Sequence, residues 1–260
     1  MVKYDLTDLT FIIPLRIDSI DRLENLLLTT NFLLKHFNTN IIVWEADNRN
    51  RMILPKLLSP KINYIFYEDF DPIFYRTKFI NTIVKTIKTP HIAIWDADVI
   101  APKKQIISCI ELLRSGKIDF AYPYKEKLLN VPICVKNIFV KKKDISILER
   151  LSDGFHVMYG PRPVGGGFLA NRLKYMEAGM ENENYYGWGI EDGERASRWQ
   201  RLNYNIWQVD GAIYHLYHSR GLNSNFHTND QNYIKKKELH RIRTMPQVLL
   251  KKEVASWHKD

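Results

Sequence analysis

The sequence predicts an α/β protein in which helices flank a central β-sheet, and three observations support this. Short apolar runs alternate along the chain with segments that carry apolar residues at helical spacing. The 260 residues, 45% of them hydrophobic, are enough for one large domain with a buried core. Three of the apolar runs end in acidic residues. Because ligands of open α/β sheets bind beyond the carboxyl ends of the strands, these acids predict a site there.

The first half of the chain contains the clearer elements. Four apolar runs predict strands, and two segments with helical periodicity predict helices between them. In chain order they are a strand over residues 9–14, a helix over 21–37 capped by Asp18 or Ser19, strands over 40–44 and 62–67, a helix over 77–86 and a strand over 91–95.

The second half is less regular, and no repeat or linker marks a domain boundary. Its glycine- and proline-rich stretch at 160–167 predicts a loop, and the basic tail from Asp230 onward predicts a helix that either packs or extends freely. The remaining predicted elements are helices over residues 145–151, 171–178 and 193–201 and strands over 205–209 and 212–218.

The charge and cysteine content indicate which partners and which cellular compartment the protein has. Lys and Arg number 38 against 29 for Asp and Glu, and this surplus of +9 favours anionic partners such as nucleic acid, anionic lipid or a diphosphate. Two cysteines cannot form a disulfide framework, and no apolar run approaches the ~20 residues of a membrane span. We therefore expect a cytoplasmic protein, with peripheral contact of the basic tail to an anionic membrane as an alternative.

A pair of carboxylates follows the predicted strand at 91–95. In an extended segment Asp96 and Asp98 point to the same side, so both can face one bound cation. A second D-x-D pattern, Asp69 and Asp71, lacks this context and predicts ordinary solvated acids. Asp96 and Asp98 can also be read as plain acids of a turn at a strand end.

Two histidines near the end of the regular region are candidate metal ligands. His215 and His218 lie three residues apart, and imidazole together with carboxylate suits Mn²⁺. Zinc is disfavoured, because no cysteine or paired histidine completes a closed tetrahedral set. Single histidines are more often structural, so this assignment depends on Asp98 lying nearby.

The segment 187–192, Gly-Trp-Gly-Ile-Glu-Asp, joins an aromatic ring, two glycines and two carboxylates before a predicted helix. Trp188 can cover one face of a sugar, and the glycines let the backbone approach a ligand closely. A carboxylate here can accept a proton from a hydroxyl group. A helix-capping acid beside a core tryptophan explains the same residues equally well.

Taken in order, these motifs resemble a known family. They are Phe-Ile-Ile-Pro-Leu-Arg at 11–16, Phe-Tyr-Arg-Thr-Lys-Phe-Ile-Asn at 74–81, Asp-Ala-Asp at 96–98, Gly-Gly at 165–166, the segment 187–192, and His-Ser-Arg at 218–220. The series resembles the catalytic domains of the β-1,4-galactosyltransferases, the chondroitin-polymerase-like enzymes and the polypeptide N-acetylgalactosaminyltransferases.

The resemblance spans roughly residues 11–220 and implies a GT-A fold, with a Rossmann-like mixed central sheet flanked by helices. It implies an Mn²⁺-dependent enzyme, with Mg²⁺ as the alternative ion, of polysaccharide biosynthesis. The enzyme would transfer a hexose or N-acetylhexosamine from a UDP-sugar to a hydroxyl group of a glycan or glycoconjugate, with inversion. One catalytic domain would cover 1–260, with a nucleotide-binding half at 1–100, a donor-sugar and acceptor half at 101–225 and a basic tail at 226–260.

The resemblance also implies residue roles. Asp98 and His218 would bind the metal, and so would His215, which stands where the galactosyltransferases have a methionine ligand. Asp192 would be the catalytic base and Glu191 a partner of sugar hydroxyls. The other implied donor-site residues are Pro14, Arg16, Phe74 and Arg76 around the uridine and diphosphate, Asp96 at the ribose or donor sugar, Gly166 in a loop that closes near the sugar, Trp188 beside donor and acceptor, and Glu45 and Asp47 near the uracil.

Some features depart from the family pattern and leave the donor sugar and the acceptor open. Ile190 stands where the family has a glycine, and the stretch 122–163 matches nothing in it. Two rival functions follow from other features. A sugar-nucleotide nucleotidyltransferase would need a glycine-rich phosphate loop at 15–18, where none stands. A nucleic-acid-binding protein follows from charge alone, and without a basic stripe interleaved with aromatics we expect no nucleic-acid partner.

Overall fold

The structure, a computed structural model, describes residues 2–226 and 228–257. Its strands are β1 Tyr4–Leu15, β2 Phe37–Asp47, β3 Asn63–Glu68, β4 His91–Trp95, β5 Val99–Ile100, β6 Phe120–Tyr122, β7 Leu128–Val131, β8 His156–Tyr159, β9 Gly167–Asn171, β10 Ile206–Gln208 and β11 Ile213–Leu216. Its α-helices are α1 Ile20–His36, α2 Leu54–Leu57, α3 Arg76–Thr86, α4 Lys103–Arg114, α5 Ile133–Lys142, α6 Ser146–Leu151, α7 Arg172–Glu177, α8 Glu191–Arg201, α9 Asn229–Thr244 and α10 Gln247–Val254.

A seven-stranded sheet in the order β10-β6-β9-β4-β1-β2-β3 forms the centre of the molecule. Strands β1, β2, β3 and β4 are all parallel to one another. Strand β9, in contrast, runs antiparallel to both β4 and β6. Helices cover the sheet. Strand β4 is buried along its whole length and β1 from Leu9 onward, as expected for central parallel strands. The predicted mixed α/β sheet flanked by helices is confirmed.

The register of the central strands places two sequence motifs side by side. Leu9 of β1 pairs with His91 of β4, and Ile12 pairs with Ile94. Since the two strands are parallel, the carboxyl end of β1, with Pro14 and then Arg16, and the residues from Asp96 onward lie at the same edge of the sheet.

A second sheet, in the order β5-β11-β7-β8, brings the distant end of the chain to that edge. Strand β5 immediately follows Asp98 and pairs antiparallel with β11, so that Val99 lies opposite His215. The backbone N–H of Leu216 also donates a hydrogen bond of 2.7 Å to the carbonyl of Asp98. This pairing sets His215 beside Asp98, although more than a hundred residues separate them in sequence.

The described part of the tail, residues 228–257, packs against the domain, which was one of the two alternatives that the sequence left open. Leu202, which follows α8, packs against the buried Ile242, Leu250 and Val254, and Asn182 donates a 2.9 Å hydrogen bond to Glu238 of α9. Within the described part of the chain, every helix is too short or too polar to cross a bilayer.

Candidate active site

A cleft of about 140 Å³ opens beyond the carboxyl ends of β1 and β4. With the exception of Gly166, Glu45 and Asp47, each of the predicted site residues lines this cleft. Those that line it are Pro14, Arg16, Phe74, Arg76, Asp96, Asp98, Trp188, Glu191, Asp192, His215 and His218. The structure thus brings together residues that are spread over two hundred positions of the sequence.

Three of these residues converge as a candidate metal site. The Nε2 atom of His218 lies 3.2 Å from Oδ2 of Asp98, and Nε2 of His215 lies 3.7 Å from Oδ1. One ligand atom from each of the three side chains falls within 4.8 Å of the other two. This separation suits three groups that share one ion.

The hydrogen bonds of the imidazoles favour the tautomer that a metal requires. Nδ1 of His215 lies 3.3 Å from Oδ1 of Asn130, and Nδ1 of His218 lies 2.8 Å from the carbonyl oxygen of Ser219. Because both partners are acceptors, each Nδ1 carries the proton and each Nε2 directs its lone pair toward Asp98. Two lone pairs and a carboxylate facing one another fit a bound cation.

Electrostatics keeps two of these groups in their ligand forms. Burial alone would raise the pKa of Asp98, but attraction of its carboxylate to His215 and His218 in their protonated forms, and a hydrogen bond from His218, hold that pKa below its usual range. Burial also lowers the pKa of His215, which keeps its ring neutral. An ionised carboxylate and a neutral imidazole are the states that bind divalent metal ions.

Side chains from α1 and α5 hold the peptide that carries His218. Nδ2 of Asn25 donates to the carbonyls of Leu216 and Tyr217, at 3.2 Å each. The buried Lys136 donates to the carbonyl of Tyr217 and pairs with Asp21 at 2.9 Å. Sequence reasoning missed these supports, because Lys136 is indistinguishable from the other lysines of its basic run.

Asp96 pairs with Arg76 at the floor of the cleft, with 2.6 Å between Oδ1 and Nη2. Burial raises the pKa of Asp96, and the guanidinium of Arg76 opposes that rise. Nη1 of Arg76 is buried and has no hydrogen-bond partner among the residues that the structure describes. Arg76 therefore retains an N–H group from which a ligand oxygen can accept a hydrogen bond.

Gly166 lies behind the Asp96–Asp98 turn and does not line the cleft. Its carbonyl accepts a 2.9 Å hydrogen bond from the N–H of Asp96. Its φ of +83° and the position of Val99, 3.3 Å from where a Cβ would stand, explain the glycine. The direct sugar contact expected of Gly166 remains a prediction.

Arg16 uses most of its guanidinium within the protein. It donates to three backbone carbonyls and to Asp69, at 2.8 Å, while its Cζ lies 5.8 Å from the centre of the Phe74 ring. Asp71 in turn accepts hydrogen bonds from the hydroxyl of Tyr186. The second D-x-D pattern therefore builds the cleft wall through bonds within the protein.

Two acids at the carboxyl end of β2 lie outside the cleft lining. Glu45 accepts a 2.6 Å hydrogen bond from the hydroxyl of Tyr64, and Asp47 pairs with Arg51. Burial raises the pKa of Glu45. Their contact with a uracil ring stays a prediction from the resemblance.

Two further arginines, which sequence reasoning did not single out, also line the cleft. Arg22 pairs with Asp18 at 2.9 Å, and the guanidinium of Arg220 lies 5.7 Å from the centre of the Trp188 ring. Arg220 follows His218 by two residues, so the His-Ser-Arg motif was the signal that could have found it. With Arg76, these cations give the cleft a positive wall.

Asp192 stands in the first turn of α8 with its two oxygens in different surroundings. Oδ1 accepts a hydrogen bond of 2.5 Å from Arg195, which is itself buried and paired with Glu181. A Cβ on Gly165 would lie 2.9 Å from Oδ2. The glycine-rich loop thus lies directly against Oδ2, and any side chain at position 165 would clash with that oxygen.

Glu191 is buried beside Asp192. The sequence left open whether this segment faces a ligand or consists of a helix-capping acid beside a core tryptophan. The N-cap residue of α8 is Ile190, so neither acid caps the helix, and Trp188 faces the cleft rather than the core. Burial, with a contribution from Asp192, raises the pKa of Glu191 to about 7. Ile190 has a φ of +75°, which is unusual for a β-branched residue.

Glu191 should make the stability of the metal-free protein depend on pH. Between about pH 4.5 and 7 the folded chain keeps a proton that the unfolded chain has released, so stability falls as pH rises through this window. We expect Glu191→Gln to remove up to about 3 kcal/mol of this pH dependence. Denaturant unfolding at pH 5 and pH 8 in a chelator measures it, with Glu149→Gln on an exposed position as the control. Equal pH dependence in wild type and Glu191→Gln would contradict the assignment.

Lys235 is a site residue that sequence reasoning assigned only to a basic tail. Its side chain is buried, and Nζ donates a 2.7 Å hydrogen bond to the carbonyl of Trp188. Burial lowers the pKa of Lys235, and the nearby Glu191 opposes that change. Phe226 packs against Trp188 with 5.2 Å between ring centres. Helix α9 therefore supports the cleft from outside.

Comparison with known proteins supports the fold. No protein-family model matches the chain, and a search of curated proteins gives no match. Among solved structures, the catalytic domain of Drosophila β1,4-galactosyltransferase 7 in complex with xylobiose is similar, with a TM-score of 0.55 and 16% identity over 90% of this chain and 79% of that chain.

A mutant of that Drosophila protein, in complex with manganese, UDP-Gal and xylobiose, is similar as well. It has a TM-score of 0.54 and 17% identity, over 89% of this chain and 79% of that one. The resemblance that the motif order indicated is thereby confirmed at the level of architecture: this chain has the GT-A fold of galactosyltransferase catalytic domains.

Proposed function

We propose that this protein is an Mn²⁺-dependent glycosyltransferase that moves a hexose or N-acetylhexosamine from a UDP-sugar to a hydroxyl group of a glycan, with inversion. The observation that carries the proposal is the convergence of Asp98, His215 and His218 with Asp192 in one cleft of a GT-A fold. The similar Drosophila galactosyltransferase was solved with manganese and UDP-Gal, which supports the choice of ion and donor.

In this proposal Asp98, His215 and His218 hold the ion. When bound, the ion offsets the negative charge that develops on the diphosphate of the departing UDP. Arg76 has an unpaired buried donor for a phosphate oxygen, whereas the donors of Arg16 are largely engaged. Arg76 is therefore the better candidate of these two arginines for the diphosphate.

Asp192 is the proposed general base. Arg195 holds Oδ1, so Oδ2 is the atom that accepts the proton of the acceptor hydroxyl. The acceptor oxygen forms its bond to the anomeric carbon as the bond from that carbon to the UDP oxygen breaks on the opposite face. Displacement from the opposite face inverts the anomeric configuration.

Glu191 and Asp96 are proposed to hold hydroxyl groups of the donor. Glu191 is buried beside the base with Oε2 unpartnered among the described residues, and that oxygen can bind a sugar hydroxyl. Asp96, oriented by Arg76, can bind a hydroxyl of the ribose or the sugar. Trp188 offers a flat face beside them.

A melting experiment with a panel of nucleotide sugars tests this function without an acceptor. We expect UDP-sugars to raise the melting temperature when Mn²⁺ is present and to have little effect in a chelator. A ligand at about 100 times its Kd stabilises the fold by roughly 2.7 kcal/mol, which is a shift of several degrees. Equal shifts with and without metal, or a response to nucleoside triphosphates alone, would contradict the proposal.

The cellular setting stays a prediction. The cytoplasmic location and the contact with an anionic membrane rest on composition and on the tail. In the structure Ile234 and Val248 are exposed on α9 and α10, and Lys236 and Lys237 are exposed beside the first of them. An apolar side chain flanked by lysines is compatible with a membrane surface.

A further inference from the structure

A second cavity, outside the donor cleft, lies at the edge of the main sheet. We propose that it is an acceptor subsite for a sugar that carries an anionic group. The inference rests on the proposed function, because it takes the acceptor hydroxyl to be bound at Asp192. The cavity measures about 440 Å³, a size typical of small-molecule sites.

The cavity is connected to the proposed base through one face of α8. Asp192, Ala196 and Gln200 are spaced four residues apart, and the last two line the cavity. At a rise of about 1.5 Å per residue, the cavity wall begins roughly 6 Å along the helix from Asp192 and continues for about another 6 Å. A glycan of two or three units that ends at Asp192 therefore reaches it.

The glycine-rich loop provides a second connection. Val164 lines the cavity, and the next residue, Gly165, lies against Oδ2 of Asp192. The hydroxyl of Tyr124 donates to the carbonyl of Gly165 and holds the loop in this place. The same short segment thus touches both the base and the cavity.

The lining of the cavity suits a sugar ring. Trp207 lies on the edge strand β10 and leaves 54% of its surface exposed, although burying an indole ring is normally favourable. Two amides lie beside it: Gln208 donates a 2.9 Å hydrogen bond to the carbonyl of Pro163, and Gln200 is exposed on α8. An aromatic face with neighbouring amides can bind the apolar face and the hydroxyls of a pyranose.

Two cations indicate that this sugar is acidic. Among the residues that the structure describes, Lys125 forms an ion pair only with the exposed Asp210, at 3.1 Å, and such surface pairs contribute little stability. Arg162 has no ion pair or side-chain hydrogen bond within residues 2–226 and 228–257. Its φ is +56°, in the left-handed region, and its N–H donates to the carbonyl of Lys125 at 2.9 Å. The backbone thus holds the two cations next to each other.

The anionic group can be a carboxylate, as in a uronic acid, or a phosphate ester. Both accept charge-assisted hydrogen bonds from lysine and arginine, and arginine can bind either with two parallel bonds. The chemistry that recognises them is shared, so the test includes both. A neutral glycan would fill the same space without using either cation.

Direct binding to the metal-free protein tests the inference independently of turnover. The probes are cellobiuronic acid, cellobiose 6-phosphate and neutral cellobiose, titrated by calorimetry or followed by NMR in a chelator. We expect at least one of the acidic disaccharides to bind about tenfold more tightly than cellobiose. The double variant Lys125→Gln/Arg162→Gln should lose that preference, and Lys104→Gln/Lys117→Gln, on exposed positions elsewhere, should retain it.

The Trp207→Ala variant provides a second readout and should weaken the binding of all three probes to the same extent. No binding of any acidic probe, or an unchanged preference in the double variant of Lys125 and Arg162, overturns the inference. Tight binding of a single-stranded oligonucleotide in place of the disaccharides, lost in that variant, would instead identify a nucleic-acid site. If the acidic probes bind but UDP-sugars with Mn²⁺ do not stabilise the protein, the proposed function fails and this site stands alone.

Discussion

Asp98→Asn is expected to abolish metal-dependent turnover of a UDP-sugar and to leave the fold intact. Asparagine keeps the shape of the side chain but removes the charge that faces two imidazoles at 3.2 and 3.7 Å. A metal ion contributes several kcal/mol to the stabilisation of a departing diphosphate, so turnover should fall on the order of 10³-fold or more. Calorimetric titration with Mn²⁺ and an assay of UDP release measure the two effects separately.

The second D-x-D pattern supplies a matched control. Asp69 pairs with Arg16 and lies away from the two histidines, so Asp69→Asn should keep the affinity for Mn²⁺. An unchanged melting temperature of metal-free Asp98→Asn would show that the loss of activity is not a loss of fold. Full activity of purified Asp98→Asn with Mn²⁺ would refute the metal site.

Asp192→Asn is expected to reduce turnover by about 10²- to 10⁴-fold, the usual contribution of a general base. The amide can still accept the hydrogen bond from Arg195, so the side chain should stay in place. The atom near Gly165 then no longer accepts a proton. Single-turnover kinetics reports the chemical step, and calorimetry with a UDP-sugar and Mn²⁺ reports donor binding, which should survive.

The two measurements distinguish a base from a binding residue. If donor binding disappears while turnover per bound donor is unchanged, Asp192 is a ligand of the donor sugar. Ser197→Ala, further along α8, is a control for changes in the helix itself, because its hydroxyl bonds the carbonyl of Gly193 outside the cleft.

The fold could be predicted where local sequence determines structure. Strand β4 was predicted residue for residue, because buried parallel strands are continuous apolar runs. Helix α1 begins after Ser19, whose side chain accepts a hydrogen bond from the N–H of Arg22, as one of the two predicted caps. Helix α4 was missed although its buried residues follow helical spacing.

Elements that depend on distant partners could not be predicted. Strand β5 has only two residues, Val99 and Ile100, and it is a strand only because β11 pairs with it. Strands β7 and β8 were missed as well, whereas β11 falls within the strand predicted over 212–218. The sheet that these four strands form places His215 beside Asp98. Sequence spacing between these residues carries no information about that pairing.

The residues of the candidate site also fall into a group that the sequence could identify and a group that it could not. The residues with distinctive chemistry, such as Asp98, His218 and Asp192, could be identified from their motifs. The residues that hold them in place could not be identified in this way. Lys136 and Lys235 differ from surface lysines only in being buried, which the sequence does not show. Gly166 was expected near the sugar; the structure adds that its carbonyl accepts a hydrogen bond from the N–H of Asp96, and the sugar contact stays a prediction.

The hydrogen bond from Lys235 to the carbonyl of Trp188 joins helix α9 to the candidate active-site cleft. Detaching α9 would move a buried ammonium group into water and release the segment around Trp188 at the same time. If the cleft binds the donor as proposed, donor affinity and docking of the C-terminal helices are therefore one linked equilibrium. We expect a shortened version of this protein that ends before α9 to bind the proposed UDP-sugar donor less tightly, although all three proposed metal ligands would remain in the chain.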